Sequence, residues 1–151
     1  WIIRLPQEVP EVSRGIVVNL MLDALDSYLN SLPDSSMPDG RHRSLRTLCV
    51  IDEAHRILGS KLPSLANLIR MSRSKGGAIM LISQSPDDFS GEEDEFLSEM
   101  GLIGAFATNA KPTSVTRIFG KGANLAKLTT GQGVVKVRGE ESARRVQAWQ
   151  K

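Results

Sequence analysis

The chain has 151 residues, 40% apolar and 24% charged, with a formal net charge of +2. That composition fits one ordinary globular domain, or part of a larger one, and the small charge does not by itself argue for nucleic acid. No apolar run approaches the roughly 20 residues of a spanning helix, nothing reads as a secretory signal, and the single cysteine, Cys49, excludes a disulfide framework, so a cytoplasmic setting and no membrane partner are expected.

Trp1 to Leu5 reads as a strand entered directly and closed by Pro6, as expected of a segment cut from a longer protein. Glu11 to Ser31 has strong helical periodicity. Ile16, Leu20, Ala24 and Tyr28 form one stripe, and Val17, Met21, Leu25 and Leu29 the adjoining one, so the helix should pack a wide apolar face on a sheet. Ser31 to Ser44 is a loop rich in Pro, Ser and Gly. Its Arg41-His42-Arg43 cluster either touches a phosphate backbone or is a solvated loop.

Leu48-Cys-Val-Ile51 follows, an apolar run read as a strand buried on both faces of a parallel sheet. It ends in Asp52 and Glu53. Carboxylates at such a tip project where ligands bind in open α/β sheets. One can hold Mg²⁺ through water, and a neighbour can orient or deprotonate an attacking water. Equally, the pair can be solvated acids that merely end a strand. His42 and His55 have no partner at metal-ligand spacing, and no zinc site is expected.

A short helical turn to Leu58 should stop at Gly59. Ser60 can cap a second helix to about Lys75, with Leu62, Leu65, Leu68, Ile69 and Ser72 on its packing face and Arg70 and Arg73 on another. Gly76-Gly77 ends it. Ala78 to Ile82 is a second apolar strand ending in Ser83-Gln84-Ser85-Pro86, where a polar amide can reach a γ-phosphate or a water. Ser90 and Glu93 fit a capping box opening a helix to Met100. Leu102 to Ala107 reads as a third buried strand. Pro112 to Phe119 and Gly122 to Leu128 are helical pieces split at Gly120-Lys121-Gly122. Gly133–Arg138 and Ser142–Trp149 form a terminal hairpin whose Lys136, Arg138, Arg144 and Arg145 either line a DNA channel or protect an edge. Strands alternating with helices imply an α/β fold with a mostly parallel sheet flanked by helices.

As an ordered set, Asp52-Glu53, the helix with Arg70 and Arg73 running into Gly76-Gly77, Ser83-Gln84-Ser85-Pro86, and Phe119-Gly120-Lys121-Gly122-Ala123…Leu128…Gly131 resemble the C-terminal half of the HerA/FtsK-like P-loop ATPases. The resemblance covers about residues 45 to 137. Within that family the chain is most similar to the C-terminal ATPase region of the DptH (DndH) proteins of DNA phosphorothioation-dependent restriction.

The resemblance implies a RecA-like core and residue roles. Asp52 would hold Mg²⁺ through water, Glu53 would activate the hydrolytic water, and Gln84 would sense the γ-phosphate of ATP. Arg73, with Arg70 as the other candidate, would be a finger reaching a neighbouring subunit's nucleotide. The alternative for these arginines is a plain solvated helix surface. Double-stranded DNA, a ring (a hexamer) and other restriction proteins are the implied partners. The departure from the family is the missing Gly-x-x-x-x-Gly-Lys-Ser/Thr loop, for which Phe119-Gly120-Lys121-Gly122 is no substitute. Either that loop lies upstream of Trp1 or the ATPase is degenerate and serves as a scaffold. A further reading takes Asp52-Glu53-Ala54-His55 as the DEAH box of a superfamily 2 helicase, but Ser83-Gln84-Ser85 departs from the Ser/Thr-Ala-Thr expected there.

Overall fold

The structure, a computed structural model, describes residues 1–6, 8–58, 62–89 and 94–149. The chain is α/β and divides into two compact units, Trp1–Ile51 with Ser60–Met80 and Asp52–Gly59 with Leu81–Lys151. The expected Gly59 stop, the Ser60 cap and the Ser90–Glu93 capping box lie outside the described residues.

The first unit begins with α1, Glu11–Ser31. It ends where proline chemistry demands: Leu32 precedes Pro33 and is extended, at φ −83° and ψ 150°. Strand β1, Thr47–Ile51, and strand β2, Gly77–Leu81, pair in a parallel two-stranded sheet. Between them in sequence come α2, His55–Leu58, which belongs to the second unit, and α3, Pro63–Met71, the latter starting on a proline that fits its first turn. A 3₁₀ turn, Ser72–Lys75, continues α3. The packing face expected of α3 is present, with Leu62, Leu65, Leu68 and Ser72 all buried. Leu22 and Leu29 are the buried residues of α1, and Ser64 on α3 donates a hydrogen bond to Asp23 on α1.

Three expectations fail in this unit. Trp1 to Leu5 joins neither sheet, and Trp1 and Ile2 are fully exposed. The stripe Ile16, Leu20, Ala24 and Tyr28 faces out, because α1 buries the side carrying Leu22 and Leu29 against α3. Strand β1 is buried on one face only. Leu48 and Val50 are 52% and 50% exposed while Thr47, Cys49 and Ile51 turn inward, the period-2 alternation of a half-covered strand. Among the described residues no element covers the Leu48–Val50 face. The half-burial of Cys49 pushes its thiol pKa up, as suits a packing residue.

The loop before β1 is organised by two aspartates. Asp39 accepts the Arg41 and His42 N–H groups at 2.9 and 2.6 Å and pairs with the His42 ring at 2.5 Å. These bonds lower its pKa to about 2, the His42 N–H being the largest cause. Asp34 pairs with Lys75 at 3.0 Å and Arg43 at 3.6 Å. The Arg41–Arg43 cluster is thus part of a self-bonded, solvated loop.

The second unit holds strands β3, Leu102–Phe106, β4, Gln132–Val137, and β5, Arg144–Gln147, in an antiparallel three-stranded sheet of order β3-β4-β5. Leu102 lies opposite Val137, and Gln132 opposite Gln147. Helix α4, Pro112–Phe119, packs on β4. Val115, Ile118, Phe119, Leu125, Leu128 and Val134 form the core, each large side chain contributing roughly 1.5–3 kcal/mol by leaving water. The expected hairpin is present, and it extends to β3. Strand β3 is not buried on both faces as expected: Ile103 and Ala105 reach the core, while Leu102 and Phe106 are 64% and 57% exposed. The expected helix up to Met100 is, over Asp94–Glu99, a 3₁₀ helix, and the piece Gly122 to Leu128 contracts to a 3₁₀ turn at Leu125–Lys127.

The basic residues of the hairpin are tied to their own chain. Arg138 pairs with Glu99 at 2.9 Å and Arg144 with Glu140 at 2.9 Å. Lys136 donates to the Ile118 carbonyl at 3.0 Å and Arg145 to the Lys127 carbonyl at 3.2 Å. With β5 exposed along its whole length, this is the geometry of an edge strand protected by charge.

Gly76 closes α3's 3₁₀ extension at φ +77°, and its carbonyl accepts the Arg46 and Thr47 N–H groups at 2.8 and 3.2 Å. A Cβ there would lie 2.5 Å from the Ser44 carbonyl oxygen. Gly76→Ala is therefore expected to destabilise the protein by about 2 kcal/mol, more than the ordinary cost of a left-handed alanine. The midpoint of urea denaturation at unchanged slope measures it, and an unshifted midpoint would contradict this account.

Candidate active site

The chain turns at once on leaving β1. Glu53 adopts φ +51° and is the one non-glycine residue with positive φ among those described. A residue carrying Cβ is disfavoured there by roughly 1–2 kcal/mol, so other bonds must hold it. Asp52 Oδ1 accepts the Glu53 N–H at 2.9 Å. The Ala54 N–H is donated to the Ile82 carbonyl, just beyond β2, at 2.8 Å. Ala54 is completely buried, so a small side chain is required at this point. The carbonyls of Glu53 and Ala54 then accept the N–H groups of Arg56 and Ile57, each at 3.0 Å, and so start α2.

The turn leaves both carboxylates exposed. Glu53 Oε2 lies 2.6 Å from Arg56 Nε, with both side chains nearly half exposed. Such a solvated pair contributes at most about 1 kcal/mol, so it tethers Glu53 without locking it.

The second tip is built by a capping box that includes proline. Ser85 Oγ accepts the Asp87 N–H at 3.1 Å, while Asp88 Oδ2 reaches back to the Ser85 N–H at 3.2 Å. Pro86 occupies the first position of the 3₁₀ turn Pro86–Phe89, where its missing N–H costs nothing. The same Asp88 oxygen accepts the Ser83 hydroxyl at 2.5 Å. Gln84 therefore sits between two residues bonded to one carboxylate. Its side chain is exposed, and its carbonyl accepts the Thr108 hydroxyl at a long 3.5 Å.

Asp87 braces the turn from the other side. Lys111, which precedes Pro112 and α4, has no side-chain cap of its own. Asp87 supplies one, accepting the Lys111 N–H at 3.1 and 3.2 Å. A bond from the buried Ser114 hydroxyl is the largest influence holding the Asp87 carboxyl below its ordinary pKa; burial opposes it, and the Lys111 N–H adds to it.

Of the residues singled out in the sequence, Asp52, Glu53 and Gln84 all lie in the second unit, on segments bonded backbone to backbone at Ala54 and Ile82. Arg73 belongs to the first unit and is exposed on the 3₁₀ turn after α3; Arg70 is exposed on α3 itself. His55, passed over for want of a metal-ligand partner, has its Nδ1 3.3 Å from Ser83 Oγ. Asp87 and Asp88 were not foreseen, although Ser85-Pro86-Asp87-Asp88 carries the spacing of an N-terminal cap.

No protein-family model matches the chain, and no curated protein does. Solved structures do. The genome packaging NTPase B204 from Sulfolobus turreted icosahedral virus 2, in complex with AMPPCP, matches at TM-score 0.54 and 16% identity over 70% of this chain and 53% of its own. The bacterial conjugative coupling protein TrwB matches at TM-score 0.60 and 16% identity over 91% of this chain and 39% of its own. TrwB with a non-hydrolysable ATP analogue gives TM-score 0.60, 17% identity, and 92% and 37% coverage. This chain thus spans about half the length of B204 and less of TrwB.

The Asp87 cap gives a pH dependence of definite sign. A carboxyl with a depressed folded pKa stabilises the fold fully above its unfolded value, 3.8, and loses that contribution as pH falls through the folded pKa. The wild type is expected to exceed Asp87→Asn in Tm at about pH 5, with a smaller difference at about pH 3, below the unfolded value. Parallel melting curves at both pH values would refute the cap. At this level of identity the likeness is one of fold: the chain has the α/β architecture of the RecA-like P-loop ATPases.

Proposed function

We propose that the chain is the C-terminal part of an ATP-hydrolysing DNA motor of the HerA/FtsK type, completed by a segment that carries the phosphate-binding loop. One observation carries the reading: a tip bearing adjacent exposed carboxylates, Asp52 and Glu53, is bonded to a tip presenting an exposed amide, Gln84. Backbone strain falls on Glu53, the residue assigned to water activation. The fold shared with a genome packaging NTPase and a conjugative coupling protein supports a motor acting on double-stranded DNA.

Open apolar faces support the missing segment. Leu48 and Val50 on β1, and Leu102 and Phe106 on β3, are side chains that a complete domain would cover.

In this reading Asp52 would hold Mg²⁺ through water. The residue fits: one carboxylate oxygen is engaged by the Glu53 N–H, the group as a whole is exposed, and Mg²⁺ takes few protein oxygens and keeps its waters. Bound Mg²⁺ would neutralise phosphate charge. Glu53 draws a proton from the attacking water once it leaves Arg56, and Gln84 hydrogen-bonds the γ-phosphate or that water. Arg73 acts in trans as a finger on a neighbour's nucleotide in a ring, a hexamer by family resemblance. The finer reading is a cytoplasmic component of phosphorothioation-dependent DNA restriction of the DptH type, working with the other proteins of that system.

The test is steady-state ATP hydrolysis by the full-length protein, with and without duplex DNA. Glu53→Gln is expected to abolish DNA-stimulated turnover, by about a hundredfold or more, while ATP still binds. No turnover and no ATP binding in either form would favour the scaffold reading instead. Arg73→Ala is expected to lower kcat by about a thousandfold. Mixing it with Glu53→Gln should recover part of the activity, because some mixed interfaces carry both native residues. No recovery on mixing rejects the trans role.

A further inference from the structure

We infer that His55 is a positioning residue for hydrolysis, which through Ser83 and Asp88 holds Gln84 in register with Glu53. The inference rests on the roles proposed above for Glu53 and Gln84. Its basis is the order of protons along three side chains. A carboxylate can only accept, so at 2.5 Å the Ser83 hydroxyl proton points to Asp88 Oδ2. Ser83 Oγ then offers only lone pairs to the His55 ring at 3.3 Å, and His55 must carry its proton on Nδ1. Donation runs from His55 to Ser83 to Asp88.

The two ends of this chain lie where the chemistry is assigned. His55 is the first residue of α2 and follows the strained Glu53 turn by two residues. Ser83 immediately precedes Gln84, and Asp88 also holds the N–H of Ser85 on the far side of Gln84. A displacement of Gln84 that lengthens the Ser83 bond therefore reaches the start of α2, and with it the Glu53 turn. The backbone bond from Ala54 to Ile82 makes the same connection one residue earlier on each segment. That bond is fixed by the fold, whereas the side-chain link can break and re-form as Gln84 moves.

The experiment combines kinetics with a readout independent of activity, on the full-length protein. Ser83→Ala and His55→Leu are each expected to lower kcat about tenfold with KM for ATP within about twofold, because misplacing a reacting group costs rate rather than binding. His55→Asn places an amide donor where Nδ1–H was, and is expected to keep kcat within about threefold of wild type. Unchanged kcat in Ser83→Ala and His55→Leu, a loss confined to KM, or equal losses in His55→Asn and His55→Leu each overturn the inference. Histidine ¹⁵N NMR, with His55→Asn identifying the resonance, reads the tautomer directly. The Nδ1–H form is expected in the wild type, shifting toward Nε2–H in Ser83→Ala. An Nε2–H tautomer in the wild type overturns the network, whether or not ATP is hydrolysed. The expected tautomer in a protein without ATPase activity overturns the assigned function and the hydrolytic role of His55 with it. A tautomer insensitive to Ser83→Ala in an active ATPase overturns the network alone.

Discussion

The hydrogen bond from the Ala54 amide to the Ile82 carbonyl constrains everything around it. To make that bond, the chain leaving β1 has only Asp52 and Glu53 in which to turn, and the left-handed conformation falls on Glu53 at φ +51°. Glycine would occupy that conformation without penalty. A glutamate there accepts roughly 1–2 kcal/mol of strain, and the bonds around it offset that cost. Asp52 holds the Glu53 amide, Arg56 holds its carboxylate, and the buried Ala54 anchors the chain beyond it. Strain kept where an unstrained residue was available points to use of the side chain itself.

The bracing of Gln84 follows a complementary logic. Its own side chain is exposed, yet both neighbours are bonded to Asp88, and Asp87 pins the turn to the start of α4. The flanking backbone is hydrogen-bonded on both sides and the amide is presented outward. This division suits a group that must contact a ligand without collapsing onto its own turn.

Element types were legible in the sequence wherever the signal is local. Helix α1 follows the apolar period and stops at Pro33; α4 begins at Pro112; the helix before β2 ends at Gly76. The strand tips were legible too, because an apolar run that ends in Asp-Glu or Ser-Gln marks its own boundary. Pairing was legible in part, for β1 with β2 and for the terminal hairpin, and cover was not. Alternating strands and helices implied parallel neighbours, and β1 and β2 obey, but β3 pairs antiparallel with the terminal hairpin. Apolar runs at Leu48 and Leu102 implied burial on both faces, yet the runs specify only what could be buried, and one face of each stays open. His55 was weighed as a metal ligand and as the end of a DEAH box, and neither reading finds its hydrogen-bond partner, a serine 28 residues away.

The open faces bear on why the site is built as it is. These side chains are already about half buried, so covering Leu48, Val50, Leu102 and Phe106 would add roughly 1–2 kcal/mol for each, against a typical domain stability of about 5–15 kcal/mol. Much of the stability available to these strands therefore depends on what packs over them. The tip residues do not wait for that cover. Asp52 to Glu53, Glu53 to Arg56, and Ser83 and Ser85 to Asp88 are bonds between residues one to five positions apart. Local bonds of this kind close at little entropic cost. They hold the backbone that carries the carboxylates and the amide within each segment, and the longer contacts, Ala54 to Ile82 and His55 to Ser83, join the two tips. A site built in this way takes its internal geometry from short-range hydrogen bonds.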